Sequence, residues 1–252
     1  MHPDWKQQFD RDGFVVIRDF LNGEDLREME EGMARFLRGV APTMGRGHVM
    51  YENPGDPASL KQADCMHLER GLNEIRLRGK VRELAEFLIG PVSPQQAEFF
   101  DKPPHKNKPT PPHQDGFYFC IRPNVACTVW VPLDAAGEDN GALSYIRGSH
   151  RLGVLPHNAS SVLGFSQGLA GDPDNFGERV LCPAKPGDVL VHHSLTIHMA
   201  GGNPSVRHRR TLGFVYYSAA AELDQEAYDR YQSSLKAQRE ARGIEHTASI
   251  PR

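Results

Sequence analysis

The chain is poor in cysteine, and its four, Cys65, Cys120, Cys127 and Cys182, form no Cys-x-x-Cys pair. That excludes a dense disulfide framework and a thiolate zinc site, and suits free thiols in a reducing cytoplasm. No run of about 18 apolar residues occurs, so no membrane-spanning helix is expected. The opening Met1-His2-Pro3-Asp4-Trp5-Lys6 has no apolar core of the kind a secretion signal needs. A strong excess of either charge sign is missing too. The formal net charge is −3, which gives no broad basic field to gather nucleic acid or anionic lipid. Internal repeats and low-complexity tracts are also lacking. These absences leave a cytoplasmic globular protein, monomer or homodimer, whose partner is a small molecule.

What is present is ordered from helical to strand-rich. Phe9 to Ile17 reads as a helix end turning into a buried strand. Asn22 or Gly23 opens a helix with Glu24 and Asp25 in its first turn, where negative charge suits the dipole. Leu26, Met29, Met33, Phe36 and Leu37 mark its buried face. Residues 40–66, with several Gly and Pro, predict an irregular lid or entrance segment. A second amphipathic helix is expected from Asn73 to Leu88, stopped by Gly90-Pro91. Strands are then expected at Gln95–Asp101, His113–Cys120, Ala126–Leu133, Leu143–Ile146, Arg179–Cys182, Asp188–His192, Ile197–Ala200 and Arg209–Tyr217, with turn clusters between them. A charged helix over Leu223–Arg242 closes the chain. The pattern predicts an α+β fold, a double-stranded β-helix (a jelly-roll or cupin-like barrel) flanked by N-terminal helices and a C-terminal helix. One domain is expected over 1–252, with helical support and lid in 1–92, the jelly roll in 93–220, and helix and tail in 221–252.

The decisive pattern is His113-Gln114-Asp115 with His198 far downstream and Arg209 after it. Two imidazoles and one carboxylate hold non-heme Fe(II) on one face and leave positions open for a cosubstrate and O₂. In an extended strand, side chains two apart share a face. His113 and Asp115 would then both project inward, with Gln114 turned away, and a distant strand would bring the third ligand. A planar guanidinium clamps a carboxylate through two parallel hydrogen bonds. Arg207 shares the strand face of Arg209, whereas Arg210 points the other way. Arg209 is favoured, with Arg207 as the alternative.

These residues, together with Phe9-x-x-Asp12-Gly13-Phe14, Asp101-Lys102-Pro103-Pro104, Trp130-Val131-Pro132-Leu133-Asp134, Asn140-Gly141-Ala142-Leu143, Gly148-Ser149-His150 and Lys185-Pro186-Gly187-Asp188, resemble the phytanoyl-CoA dioxygenase family of Fe(II)/2-oxoglutarate oxygenases. Arg147 stands where proline is usual in that family. The resemblance implies His113, Asp115 and His198 as iron ligands, and Arg209 on the distal carboxylate of 2-oxoglutarate. It also puts Trp130, Gln114 and, on a looser match, Lys61 among the cosubstrate-binding residues, although Lys61 taken alone reads as a solvent-exposed lysine. The implied reaction is hydroxylation of an unactivated C–H of a metabolite with release of succinate and CO₂. Asp115 argues for hydroxylation or another oxidation such as desaturation, and against halogenation, for which related enzymes carry Gly or Ala. Two other readings stay open, a cupin-type metalloenzyme without 2-oxoglutarate and a non-catalytic ligand-binding homologue. One of His192 and His193 could face the pocket, but both are expected to be structural. Tyr51, His105, Lys106, Lys108, Tyr118 and Arg122 are candidates for the entrance, and Phe100, Phe117 and Phe119 for an apolar wall.

Overall fold

A computed structural model describes residues 1–45, 48–53, 55–56, 59–106 and 108–241. Helix α1 (Pro3–Asp12) starts on a proline behind the His2 cap and stops at Gly13, whose φ of 83° lets its N–H close onto the Phe9 carbonyl. Strand β1 (Phe14–Ile17) follows directly. Helix α2 (Gly23–Arg35) begins in a capping box, Asn22 accepting from the Asp25 N–H and Asp25 accepting from the Asn22 N–H. It widens into one π turn, Phe36–Val40.

Residues 40–66 depart from the irregular segment expected. They carry strands β2 (Val49–Tyr51) and β3 (Leu60–Ala63), which extend the main sheet beyond β4 (Val92–Lys102). Their Gly and Pro residues concealed short edge strands that only a neighbouring strand stabilises. The single helix expected over 73–88 is likewise two, α3 (Arg70–Arg78) and α4 (Lys80–Ile89), broken where Gly79 adopts extended backbone.

The rest of the chain builds two antiparallel sheets. Its strands are β5 (Thr110–His113), β6 (Ile121–Arg122), β7 (Ala126–Pro132), β8 (Leu143–Ile146), β9 (His157–Ala159), β10 (Gln167–Leu169), β11 (Arg179–Cys182), β12 (Val189–His193), β13 (His198–Ala200), β14 (Arg209–Ser218) and β15 (Glu222–Leu223). A short helix, α5 (Asp115–Phe119), interrupts them, and α6 (Gln225–Ala241) ends the described chain. The larger sheet runs β1-β12-β7-β14-β4-β3-β2 and the smaller β11-β8-β13-β5, with β9-β10 and β6-β15 as two-stranded ribbons. This is the jelly-roll architecture expected, drawn as facing sheets and not as a closed ring.

Period-two alternation gives the large sheet two different faces. Val129 and Val131 on β7, Val189 and Val191 on β12, Leu212, Phe214 and Tyr216 on β14, and Ala97 and Phe99 on β4 pack against Met29, Leu72, Val81, Leu84 and Leu88 of the helices. Each such side chain contributes about 1.5–3 kcal/mol relative to exposure. The alternate residues, Thr128 and Trp130, His192, Arg209, and Glu98, Phe100 and Lys102, face the smaller sheet and line the interior between the two. The helices therefore seal one side of the sheet while the other side is free to carry polar chemistry.

Candidate active site

His113 ends β5 and His198 begins β13, and the two are direct cross-strand partners. His198 is also paired with Tyr145 of β8. The expected strand His113–Cys120 is not formed. After extended Gln114 the chain turns into α5, with Asp115 in its first turn. Gly116 makes this possible, because a Cβ there would meet the Asn124 amide at 2.4 Å. Gln114 is still extended at φ −116° and ψ 127°, so His113 and Asp115 share a side even though the strand has ended.

The three ligand atoms lie within 4.8 Å of one another. Asp115 Oδ1 is 3.5 Å from His113 Nε2 and 3.6 Å from His198 Nε2. Each imidazole is fixed from behind. His113 Nδ1 sits 2.8 Å from the Pro111 carbonyl and His198 Nδ1 3.1 Å from that of Thr196. A carbonyl only accepts, so both Nδ1 atoms carry a hydrogen, and both Nε2 atoms, the ones a metal would use, face the carboxylate. Burial would raise the Asp115 pKa, but the surrounding imidazoles overcome it and hold the acid well below the usual carboxylate range. Burial and the neighbouring rings push His198 well below an ordinary histidine. The site therefore turns two imidazole nitrogens and one carboxylate toward a common point, a donor set suited to a divalent ion.

The same cavity, about 630 Å³, holds Arg209, Trp130, Lys61 and Lys102. Arg209 is 4% exposed, and its Nε is buried with no hydrogen-bond partner. Its guanidinium lies 5.6 Å from the Trp130 ring centroid, and burial lowers its pKa to about 10. Among the described residues no carboxylate oxygen lies within ion-pair distance of it. Arg207 instead points outward to Asp139 at 2.6 Å, and Arg210 makes a two-bond pair with Asp134. Of the three arginines only Arg209 enters the cavity.

Two sequence readings are corrected. Lys61 is not solvent-exposed. Its side chain is 13% exposed, 3.6 Å from Glu52 and donating to the Leu163 carbonyl at 2.6 Å. The edge strands β2 and β3, which the sequence concealed, carry it inside. Gln114 faces away from the cavity. Its amide donates to the Gly153 and Leu195 carbonyls and accepts from the Leu155 N–H, so no polar group remains for a cofactor. Its work is to tie three loops behind the metal ligands.

Other cavity residues were assigned no chemistry from the sequence. His192 was expected to be structural, yet its Nε2 lies 3.1 Å from Asp115 Oδ2, where Thr128 also donates at 2.7 Å. His193, one residue on, faces the opposite way toward the Phe9 ring. Lys102 is buried, and desolvation together with the nearby Arg209 charge brings its pKa to about 7. Of the entrance candidates Tyr118 reaches the cavity, and of the apolar-wall candidates Phe100 and Phe119 do. Arg122 pairs with Asp224, and Lys108 with Glu52. The turn joining β9 to β10 covers the site. Its Phe165 ring sits 5.0 Å from His113, and Tyr118 and α6 hold its base through Gln167.

No helix among the described residues is long and apolar enough to cross a membrane. The family model for Phytanoyl-CoA dioxygenase (PhyH) matches residues 9–211. Peroxisomal phytanoyl-CoA dioxygenase of Mus musculus is 26% identical over 226 residues, covering 81% of this chain and 64% of its own length. This chain thus spans somewhat less than two thirds of that relative. The 1-deoxypentalenic acid 11-beta-hydroxylase of Streptomyces arenae is 28% identical over 216 residues, covering 79% and 74%. The fold is shared with EvdO2 from Micromonospora carbonacea var. aurantiaca in complex with 2-oxoglutarate, at a TM-score of 0.68 and 22% identity over 87% of this chain and 91% of that one. With the family model spanning most of its length, this chain belongs to the phytanoyl-CoA dioxygenase family.

Proposed function

We propose that this protein is an Fe(II)- and 2-oxoglutarate-dependent dioxygenase that hydroxylates an unactivated C–H of a small-molecule metabolite, releasing succinate and CO₂. The observation that carries this reading is a buried guanidinium, its Nε unpartnered and no carboxylate paired with it among the described residues, in the same cavity as a two-histidine, one-carboxylate cluster. Both fit their groups. The cluster offers two imidazole Nε2 atoms and one carboxylate oxygen. The guanidinium is the complement of a dicarboxylate's far end. Bound iron and cosubstrate supply the oxidising chemistry when O₂ is present.

The chain's own part is position and exclusion. His113 and His198 hold their Nε2 atoms toward Asp115 because backbone carbonyls occupy their Nδ1 protons. Arg209, with Trp130 beside it, fixes the cosubstrate's orientation from the inner face of the large sheet. Lys61 and Lys102 add positive charge to that end of the cavity. Phe165 and the covering turn keep bulk water from the reacting carbon. No side chain is required to transfer a proton to the substrate.

The relatives differ in what their names say they act on, and the substrate reading stays at a small metabolite. The four cysteines form no disulfide, which supports a reducing compartment such as the cytoplasm. The test is anaerobic reconstitution with Fe(II) followed by O₂ and 2-oxoglutarate, with succinate measured. Wild type is expected to form succinate, and His113→Ala and Asp115→Ala to form none. Succinate formation by either variant at the wild-type rate would overturn the reading.

A further inference from the structure

Beyond its three ligand side chains, the metal cluster has a buried hydrogen-bond chain attached to one side. Asp115 uses its two oxygens differently. Oδ1 faces the His113 and His198 nitrogens at 3.5 and 3.6 Å. Oδ2 takes Thr128 Oγ1 at 2.7 Å and His192 Nε2 at 3.1 Å. His192 continues outward, its Nδ1 lying 3.1 Å from the Tyr145 hydroxyl. His192 is 2% exposed and Tyr145 fully buried. The Tyr145 ring is held by stacking on Phe14, with centroids 4.5 Å apart and planes at 16°.

The direction of this chain follows from what each atom can do. Ionised Asp115 can only accept, so His192 Nε2 must carry a hydrogen. A neutral imidazole then has a bare Nδ1, which takes the Tyr145 O–H. The order is Tyr145 O–H to His192 Nδ1, then His192 Nε2–H to Asp115 Oδ2, with Thr128 donating to the same oxygen.

We propose that His192 is a positioning residue for the metal centre: with Thr128 it occupies Asp115 Oδ2, so that the carboxylate binds the metal through Oδ1 alone. A carboxylate free to swing would chelate through both oxygens and take a position that cosubstrate or O₂ needs. His192 is not itself a fourth ligand, since its Nε2–H is spent on Asp115 and its Nδ1 on Tyr145. Its ring lies beside His198, with centroids 4.3 Å apart, and closes the cluster's inner wall. This role rests on the metal-site reading above and is separable from it.

The experiment is anaerobic metal titration of the purified apoprotein, using Fe(II) by calorimetry and Co(II) by its visible absorption, in wild type, His192→Phe, His192→Gln and Tyr145→Phe. His192→Phe keeps a flat ring and removes the donor, and metal affinity is expected to fall about 10- to 100-fold, the usual cost of losing a partner behind a ligand. Its Co(II) spectrum is expected to change as the coordination number changes. His192→Gln, whose amide can donate to the same oxygen, is expected to recover most of the affinity and the wild-type spectrum. A purely structural histidine would show neither that rescue nor the spectral change. If His192→Phe does not fold, Tyr145→Phe, which removes one hydroxyl, carries the test and is expected to weaken metal binding several-fold. Folded variants that match wild type within twofold in affinity and in spectrum overturn the role of His192 and leave the metal site standing. Wild type that binds neither metal overturns both.

Discussion

Replacing Arg209 with methionine separates two effects of a buried charge that move in opposite directions. Without a ligand, the guanidinium is 4% exposed, has an unpartnered Nε, and has its pKa brought down to about 10 by desolvation. The arginine is protonated at pH 7 in both folded and unfolded chains, so the cost of burying it is fully present at that pH. At about 1.4 kcal/mol per pKa unit this cost is on the order of 3 kcal/mol, reduced by the lost contact with Trp130. Arg209→Met is therefore expected to make the apoprotein more stable by about 1–3 kcal/mol. A chain of this length gains roughly 2–4 °C in melting temperature per kcal/mol. Binding moves the other way. Removing one partner of a buried, hydrogen-bonded charge pair costs about 2–5 kcal/mol, which weakens 2-oxoglutarate by roughly 30-fold to several thousand-fold. Wild type at a hundredfold excess over its Kd should gain about 2.7 kcal/mol from ligand; the variant should gain less than about 0.9 kcal/mol at the same concentration. Thermal melting with Mn(II), with and without 2-oxoglutarate, reads both effects. A variant that melts below wild type without ligand, or keeps the full ligand-dependent shift, refutes the reasoning.

Lys102 is buried with a pKa near 7, well below its unfolded value of about 10.4. A base depressed in the folded state destabilises it below the folded pKa, and the penalty is relieved as pH rises from 7 toward the unfolded value. Wild type should therefore gain up to about 1.4 kcal/mol per pH unit over that window relative to Lys102→Met, and urea melts at pH 6.5, 8 and 9.5 with equal differences would contradict this. Gly164 sits in the covering turn at φ 86°, and a Cβ there would meet Gln62 Oε1 at 2.1 Å. Gly164→Val is expected to displace the turn and raise substrate-free 2-oxoglutarate consumption several-fold while melting temperature moves little; unchanged consumption argues against a water-excluding role. Asp12 is fully buried and paired with Arg11 at 2.9 Å and Arg147 at 2.7 Å, and these bonds hold its pKa low despite burial. Asp12→Asn should cost about 1–3 kcal/mol at pH 7, since the partners are partly exposed. Because a depressed carboxyl stabilises above its unfolded pKa and loses that contribution as pH falls through the folded value, the difference should vanish in acid. A melting curve of Asp12→Asn that parallels wild type from pH 7 to 3 would defeat this account.

Strands were legible where alternation and burial coincide. Leu143–Ile146 and Arg179–Cys182 form with the ends their sequence indicates, and Arg209–Ser218 differs from expectation by one residue. In these segments one face meets the core and the other the interior, so local pattern and tertiary packing agree. The edge strands Val49–Tyr51 and Leu60–Ala63 were hidden because three- or four-residue pieces among Gly and Pro carry no period of their own. Their existence depends on β3 pairing to β4 and β2 pairing to β3, contacts no local window contains. Arg147 makes the same point at one residue. Where proline is usual in the family, this chain has a cation, and the structure spends it on Asp12 and Glu178.

The metal ligands were legible because their chemistry is unusual at short spacing, but the local structure behind them was not. Alternation put His113 and Asp115 on one side, and they are, yet through one extended residue followed by a helix turn. The outcome survived a wrong element because Gln114 alone sets the relative direction of its neighbours. His192 shows the opposite limit. Nothing in Leu190-Val191-His192-His193-Ser194 separates a histidine aimed at the metal carboxylate from the next one aimed at Phe9. The alternation of β12 does, once its inner face is known: Leu190 and His192 point inward with Trp130 and Thr128, their register partners on β7. Knowing that Trp130 faces the cavity therefore suffices to place His192 there, by counting across one pair of strands. The information was in the sequence, but only as a register, and register is fixed by the partner strand.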